Sequence, residues 1–190
     1  MEVIRTDIDG LLIIEPRVFA DARGYFFESF SQREFDEKVA PLIGGPVVFV
    51  QDNESRSTYG VVRGLHFQKA PYAQSKIVRC VRGRVLDIAL DLRPGSPTYL
   101  KHAAVEISEE NHRQVFIPKG FAHGFAVLSD EAVFQYKCDV PYHPEAESGI
   151  YPLDERLGID WQIPAEKMIL SDKDRNRARL GRFKARSQES

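Results

Sequence analysis

The sequence predicts a mainly β protein, an antiparallel sandwich or barrel of short strands with few short helices. Three observations carry this expectation. Short apolar runs recur from residue 76 to residue 138, separated by turns at Gly83, at Arg93-Pro94-Gly95-Ser96-Pro97 and at residues 108–111. Within the runs, side chains can be sorted onto two faces with the period-2 alternation of a strand. Convincing helix signals occur at one place, where Ser31 precedes Glu34 by three residues and Phe35 and Val39 are spaced to share a face.

The elements follow in order. Val3-Ile4 and Leu11-Leu12-Ile13-Ile14 predict two short strands around Asp9-Gly10, a dipeptide suited to a tight turn. Asp21-Ala22-Arg23-Gly24 predicts another turn, and the aromatic content of Tyr25-Phe26-Phe27-Glu28-Ser29-Phe30 predicts a strand. The helix begun at Ser31 should stop by Pro41. Residues 47–53 read as a buried strand ending in polar groups, and residues 54–59 as a polar loop leading into Arg63-Gly64-Leu65-His66-Phe67-Gln68. Further strands are expected at 76–82, 85–92, 99–107, 114–118, 124–128 and 132–138, with 119–123 as a loop. Beyond Pro141 the regularity ends; residues 154–163 read as an irregular cover in which Trp161 packs, and the basic tail at 175–186 as a solvated segment.

Bulk properties narrow the function. A chain of 190 residues suits one domain, expected to span 1–190. Its composition, 43% hydrophobic and 28% charged, is that of a soluble globular protein, and no apolar run approaches the roughly 20 residues that span a bilayer. Without a secretory pattern at the N-terminus, the expected location is cytoplasmic. Cys80 and Cys138 lie in strand-like stretches and are expected to be reduced structural thiols. A formal charge of −2 provides no general field for nucleic acid, so the partner should be a small molecule met by locally placed cations.

Period-2 geometry gives candidate site residues. In 132–138, Tyr136 shares a face with Phe134 and Cys138 and should point inward; in 76–82, Lys76 shares a face with Val78 and Cys80. An inward ammonium is costly unless it meets an anion or lines a wet pocket. Asp87 and Asp91 lie opposite Leu86, Ile88, Leu90 and Leu92, and are either exposed or held by partners. His66 is a catalytic base or a satisfied structural histidine. Metal binding lacks a ligand set: His66-Phe67-Gln68 stands where a metal-binding barrel would offer two histidines and a glutamate, and about three suitable ligands are needed.

Nine motifs lie in order over residues 16–175: Asp21-Ala22-Arg23-Gly24, Phe27-Glu28-Ser29-Phe30, Gln51-Asp52-Asn53, Arg63-Gly64-Leu65-His66, Gln74-Ser75-Lys76-Ile77-Val78-Arg79, Asp91-Leu92-Arg93, the run from Ile117 to Phe125, Tyr136-Lys137 and Ser171-Asp172-Lys173-Asp174. Together they resemble the dTDP-4-dehydrorhamnose 3,5-epimerase family, metal-free cupins of deoxysugar biosynthesis. The resemblance implies a cupin or jelly-roll barrel (a double-stranded β-helix), no cofactor and no metal. It also implies epimerisation at C3 and C5 of dTDP-4-dehydro-6-deoxy-D-glucose through enolates, giving dTDP-4-dehydro-L-rhamnose. The alternatives are a single-site epimerase on a related nucleotide sugar and a non-catalytic sugar-nucleotide-binding cupin.

Carried onto this sequence, the resemblance makes His66 the base, Asp174 its orienting carboxylate with Asp172 as competitor, Tyr136 the acid on the opposite face and Lys76 the stabiliser of the enolate oxygen. Arg23, Arg63 and Lys173 would meet the diphosphate, and Glu28, Gln51, Asp52, Asn53, His123 and Glu147 resemble substrate-contact positions. Tyr142 resembles the aromatic on which thymine stacks. The family also implies a homodimer through the N-terminal strands. Phe67 stands where many relatives have tyrosine and is expected to face outward. In a regular strand Arg63 and His66 would face opposite sides, so the chain must bend or bulge, most simply at Gly64.

Overall fold

The computed structural model describes residues 1–181. Strands β1 (Glu2–Arg5), β2 (Leu12–Glu15), β3 (Phe19–Asp21) and β4 (Gly24–Phe26) precede helices α1 (Gln32–Lys38) and α2 (Ala40–Ile43). Then come β5 (Gln51–Thr58), β6 (Val62–Gln68), β7 (Lys76–Arg82), β8 (Arg84–Asp91), β9 (His102–Ser108), β10 (Gln114–Ile117), β11 (Phe121–Val127), β12 (Glu131–Cys138) and β13 (Glu147–Gly149). Helix α3 (Asp172–Arg175) follows single 3-10 turns. A six-stranded sheet, ordered β1-β2-β10-β7-β12-β5, faces a five-stranded sheet, ordered β13-β6-β11-β8-β9. Every ladder pair is antiparallel, and β3 and β4 form a separate hairpin.

Three apolar layers hold the sheets. Between them, Val78, Cys80 and Phe134 of one sheet meet Val85, Ala89, Phe121 and Phe125 of the other. The outer face of the six-stranded sheet is closed by α1 and its flanks, where Phe35 and Val39 pack on Leu12, Ile77 and Phe116. The outer face of the five-stranded sheet is covered by the C-terminal segment, with Leu157, Trp161, Ile163, Leu170 and Leu180 on Leu65, Leu86, Ile88 and Leu90. Trp161 packs as expected, and its indole N–H donates to Pro152 O at 3.1 Å. Because both faces of β8 are buried, the alternation that sends Leu86, Ile88 and Leu90 outward leaves Asp87 beside Val85 and Ala89 inside the barrel. Both aspartates are held by partners: Asp87 by His123, and Asp91 by Arg93, Ser96 and Thr98.

Several expectations need correction. Residues 27–30 form no strand; Phe30 instead packs edge-on against Phe49 and tilted against Phe35. The strand expected at 47–53 starts only at Gln51, and the supposed loop is its continuation to Thr58. Its inner side chains line a polar cavity and its outer ones meet solvent, so β5 is polar on both faces and shows no apolar alternation. Val47 and Phe49 pack toward α1 rather than into a ladder. Ser31 caps α1 by accepting from Glu34 N, but helix resumes past Val39, with Pro41 in the first turn of α2 where a missing N–H costs nothing. Strand β11 begins at Phe121, inside the expected loop, and the basic tail lies partly outside the described residues. Cys80 and Cys138 are buried and unpaired.

The break in β6 falls at Gly64. Its φ is +125°, the Gly64–Leu65 peptide is cis, and the register against β11 shifts between His123 and Phe125. Arg63 and His66 consequently line one cavity. A Cβ on Gly64 would lie 2.6 Å from Gly124 Cα and 2.8 Å from His123 O, backbone atoms that cannot rotate away. Gly64→Ala is expected to destabilise the fold by about 3 kcal/mol, the upper part of the usual range for one substitution. A fall in the urea midpoint at unchanged m measures it.

Candidate active site

A cavity of about 540 Å³ opens between the two sheets at the end where β13 and α3 meet β6. On one wall His66 Nε2 lies 2.5 Å from Asp174 Oδ1, joining residues 108 apart in sequence. Asp174 is fixed by its place in α3, whose cap Ser171 accepts from Asp174 N at 3.1 Å, and by Gly64 N donating to Asp174 Oδ2 at 3.4 Å. Burial alone would raise the Asp174 carboxyl; the hydrogen bonds from His66 and Gly64 win and hold it below its ordinary value. The carboxylate therefore accepts from an Nε2–H, which leaves Nδ1 as the free acceptor nitrogen of a neutral imidazole. Asp174, not Asp172, is the partner.

The other wall comes from the six-stranded sheet. Cross-strand register sets Asn53, Tyr136 and Val78 in one row and Gln51, Cys138 and Lys76 in the next. Paired residues share a face, so Tyr136 and Lys76 point into the barrel as their periodicity predicted. Lys76 Nζ lies 5.4 Å from the Tyr136 ring centre. Neither the Lys76 ammonium nor the Tyr136 hydroxyl has a hydrogen-bond partner among the described residues. Burial lowers the Lys76 pKa against the opposing pull of Cys138, Asp87 and Glu147, and raises that of Tyr136, so the phenol is held protonated.

Known proteins share this architecture. The family model described as dTDP-4-dehydrorhamnose 3,5-epimerase matches residues 5–181. The chain belongs to this family. It is 55% identical to the dTDP-4-dehydrorhamnose 3,5-epimerase of Escherichia coli, over 92% of this chain and 91% of that protein. It is 41% identical to the dTDP-4-dehydrorhamnose 3-epimerase of Streptomyces niveus, over 89% and 79%. The solved dTDP-6-deoxy-D-glucose-3,5-epimerase of Legionella pneumophila, in complex with dTDP-4-keto-L-rhamnose, superimposes with a TM-score of 0.90 at 48% identity, covering 97% of this chain and 95% of that one. The facing sheets are the cupin-type barrel of these epimerases.

Of the other positions that the epimerase resemblance singled out, Gln51, Asn53, Arg63, Tyr142, Glu147 and Lys173 line the cavity with the dyad. Gln51 donates to Asn53 Oδ1 and accepts from Tyr142 N, and Arg63 donates from Nε to Ser57 Oγ at 3.0 Å. Asp52 is not part of it: between two inward residues of β5 it must face out, and it pairs with Lys137 at 2.8 Å. His123, the cross-strand neighbour of His66, is buried behind the cavity wall, 2.6 Å from Asp87 and stacked beside Phe134. Arg23 and Glu28 lie away from this cavity. Arg23 sits on the exposed β3–β4 turn bonded to Asp21, and Glu28 lies beside Ser31 and Phe35.

Phe67 contributes to the cavity wall rather than facing away. Gln68, Gln74, Cys138 and Ser171 line it too and were not identified as site residues. Period 2 puts Cys138 on the Tyr136 face, whereas Gln68 and Gln74 brace loops by donating to Pro141 O and Val140 O, links between distant segments without a local signal. Among the described residues no three His, Cys, Asp or Glu side chains gather as a cation-binding set.

At the mouth Glu147 accepts from Lys173 Nζ at 2.6 Å, from the Tyr142 hydroxyl at 2.5 Å and from an Arg177 terminal nitrogen. Burial opposes ionisation, but these donors hold the carboxyl at about 2, below its ordinary 4.5. A carboxylate depressed in the folded state contributes stability that is complete above pH 4.5 and lost as pH falls through about 2. Glu147→Gln should therefore lower the melting temperature at pH 7 and narrow the difference between pH 7 and pH 3, as read by thermal melts across that range.

Proposed function

We propose that this chain inverts C3 and C5 of dTDP-4-dehydro-6-deoxy-D-glucose through enolate intermediates, giving dTDP-4-dehydro-L-rhamnose. The observation that carries the reading is the placement of the His66–Asp174 dyad on one cavity wall and of Tyr136 with Lys76 on the other. The C4 ketone acidifies the hydrogens at C3 and C5. His66 takes one as a proton, the C–H electron pair moves into the enolate, and Asp174 holds the resulting imidazolium. Lys76, whose ammonium has no hydrogen-bond partner among the described residues, meets the enolate oxygen. Tyr136 then gives its hydroxyl proton to the opposite face of the carbon. His66 loses its proton to solvent and Tyr136 regains one from solvent, so no net proton is consumed.

Arg63 and Lys173 supply cations for the diphosphate, Gln51 and Asn53 polar contacts, and the half-exposed Tyr142 a ring for thymine. The single-chain cavity lacks Arg23 and Glu28, and the β3–β4 hairpin that carries Arg23 exposes Phe19, Tyr25 and Phe26. A homodimer through these N-terminal strands would cover those rings and give Arg23 and Glu28 a neighbour's cavity to serve. A cytoplasmic setting fits the two buried, unpaired cysteines, and no helix among the described residues is long and apolar enough to cross a membrane.

Incubation with dTDP-4-dehydro-6-deoxy-D-glucose in deuterated water should label both C3 and C5. Label at one carbon would favour the single-site reading, and binding without label a non-catalytic module. His66→Asn should cut incorporation by about 10²–10⁴-fold, the usual worth of a positioned base. Tyr136→Phe should still exchange label on the His66 side while failing to invert the centre. Sedimentation at micromolar concentration should give a dimer; a monomer would count against the N-terminal interface.

A further inference from the structure

Arg177 lies three residues beyond Asp174, in the stretch whose sequence reads as a solvated tail, yet only 13% of its side chain is exposed. Its guanidinium stands between two carboxylates. A terminal nitrogen donates to Glu147 Oε1, and Nε lies 4.0 Å from Asp174 Oδ1, the oxygen that also receives His66 Nε2. That Nε is buried without a hydrogen-bond partner among the described residues.

The backbone holds it there from both sides. Arg177 N donates to Asp174 O at 3.3 Å, while Ala178 bridges to Ile150 and accepts from Tyr151 N at 3.0 Å. Gly149, which pairs with His66 in the β13–β6 ladder, leaves the room: a Cβ there would sit 2.9 Å from Arg177 Nε and 3.1 Å from its Cδ. An arginine serving only as an anchor would need only Glu147. This one also presents a buried, unused N–H within a small displacement of the dyad carboxylate, an orientation that is costly unless it is used.

We propose that Arg177 is a positioning residue for proton abstraction. It keeps Asp174 oriented on His66 and ties the dyad to Glu147 at the mouth, so that α3 and β13 hold the base in one geometry. The proposal rests on the epimerase reading, since it assigns His66 the proton transfer.

Arg177→Met keeps the stem and removes the donors. It is expected to lower kcat about tenfold with KM within about twofold, the pattern of a misplaced group rather than lost binding. Arg177→Lys, which restores the charge, should recover kcat to within about threefold. In an Asp174→Asn background, Arg177→Met should cost nothing further, because Arg177 acts through that carboxylate. The His66 Nε2–H proton signal, observed by NMR in the protein without substrate, should weaken in Arg177→Met and persist in Arg177→Lys. The same tenfold loss in the Asp174→Asn background, a loss confined to KM, or an unchanged imidazole signal would overturn the proposal. Wild-type protein that labels neither C3 nor C5 would sink the epimerase reading instead, and the imidazole signal would still decide the role of Arg177.

Discussion

The close approach of β6 to β11 at two facing glycines is the constraint on which the site depends. Gly64 and Gly124 leave each other no room for a side chain, since a Cβ on Gly124 would lie 2.5 Å from Arg63 O. That contact coincides with the register shift between His123 and Phe125 and with a positive φ at Gly64. A regular strand would have sent Arg63 and His66 to opposite faces, one to the cavity and one to the C-terminal cover. The irregularity puts the Arg63 guanidinium and the His66 imidazole on the same wall, and it turns Gly64 N toward Asp174.

The carboxylate arrives by a different route. Helix α3 is a single turn, too short to be stable alone. Its position comes from the apolar layer beneath it, where Leu157, Trp161, Ile163, Leu170 and Leu180 bury against the outward side chains of β6, β8 and β11. Hydrophobic burial of that cover, at roughly 25 cal/mol per Å², therefore stabilises the fold and aims Asp174 at once. The cover is part of the active site although few of its side chains reach the cavity.

Much of this was legible in the sequence, for reasons that can be stated residue by residue. Strands β7, β8 and β12 have one apolar face in the core, so their alternation exposed both their extent and the inward aim of Lys76 and Tyr136. The need for a break at Gly64 followed from two residues having to serve one cavity. Strand β5 gives no strand signal in the sequence because it lies between a wet cavity and solvent, where neither face asks for an apolar side chain. For the same reason Gln51-Asp52-Asn53 reads as one motif in the sequence, although the period-2 alternation of β5 turns Asp52 to the face opposite Gln51 and Asn53. Arg177 was hidden differently: its burial depends on Gly149 and on a bridge between Ile150 and Ala178, contacts across nearly thirty residues of irregular chain that no local pattern encodes.

The charged groups of the cavity divide by whether they are already satisfied. Glu147 accepts from three donors and Asp174 from the imidazole and a backbone N–H, so each carboxylate is held in place before any substrate arrives. Lys76 and Tyr136 are held by packing and register but not by hydrogen bonds. Lys76 and Tyr136 are partly buried on the cavity wall, and a core built for stability alone would replace both with apolar side chains. An anion placed between them would take up both donors. A satisfied carboxylate would have to give up a donor to engage a ligand, whereas Lys76 has nothing to give up, so its gain is largest where charge first appears. On the proposed enolate pathway that place is the oxygen at C4, and this asymmetry would direct the electrostatic stabilisation to the intermediate rather than to the resting ketone.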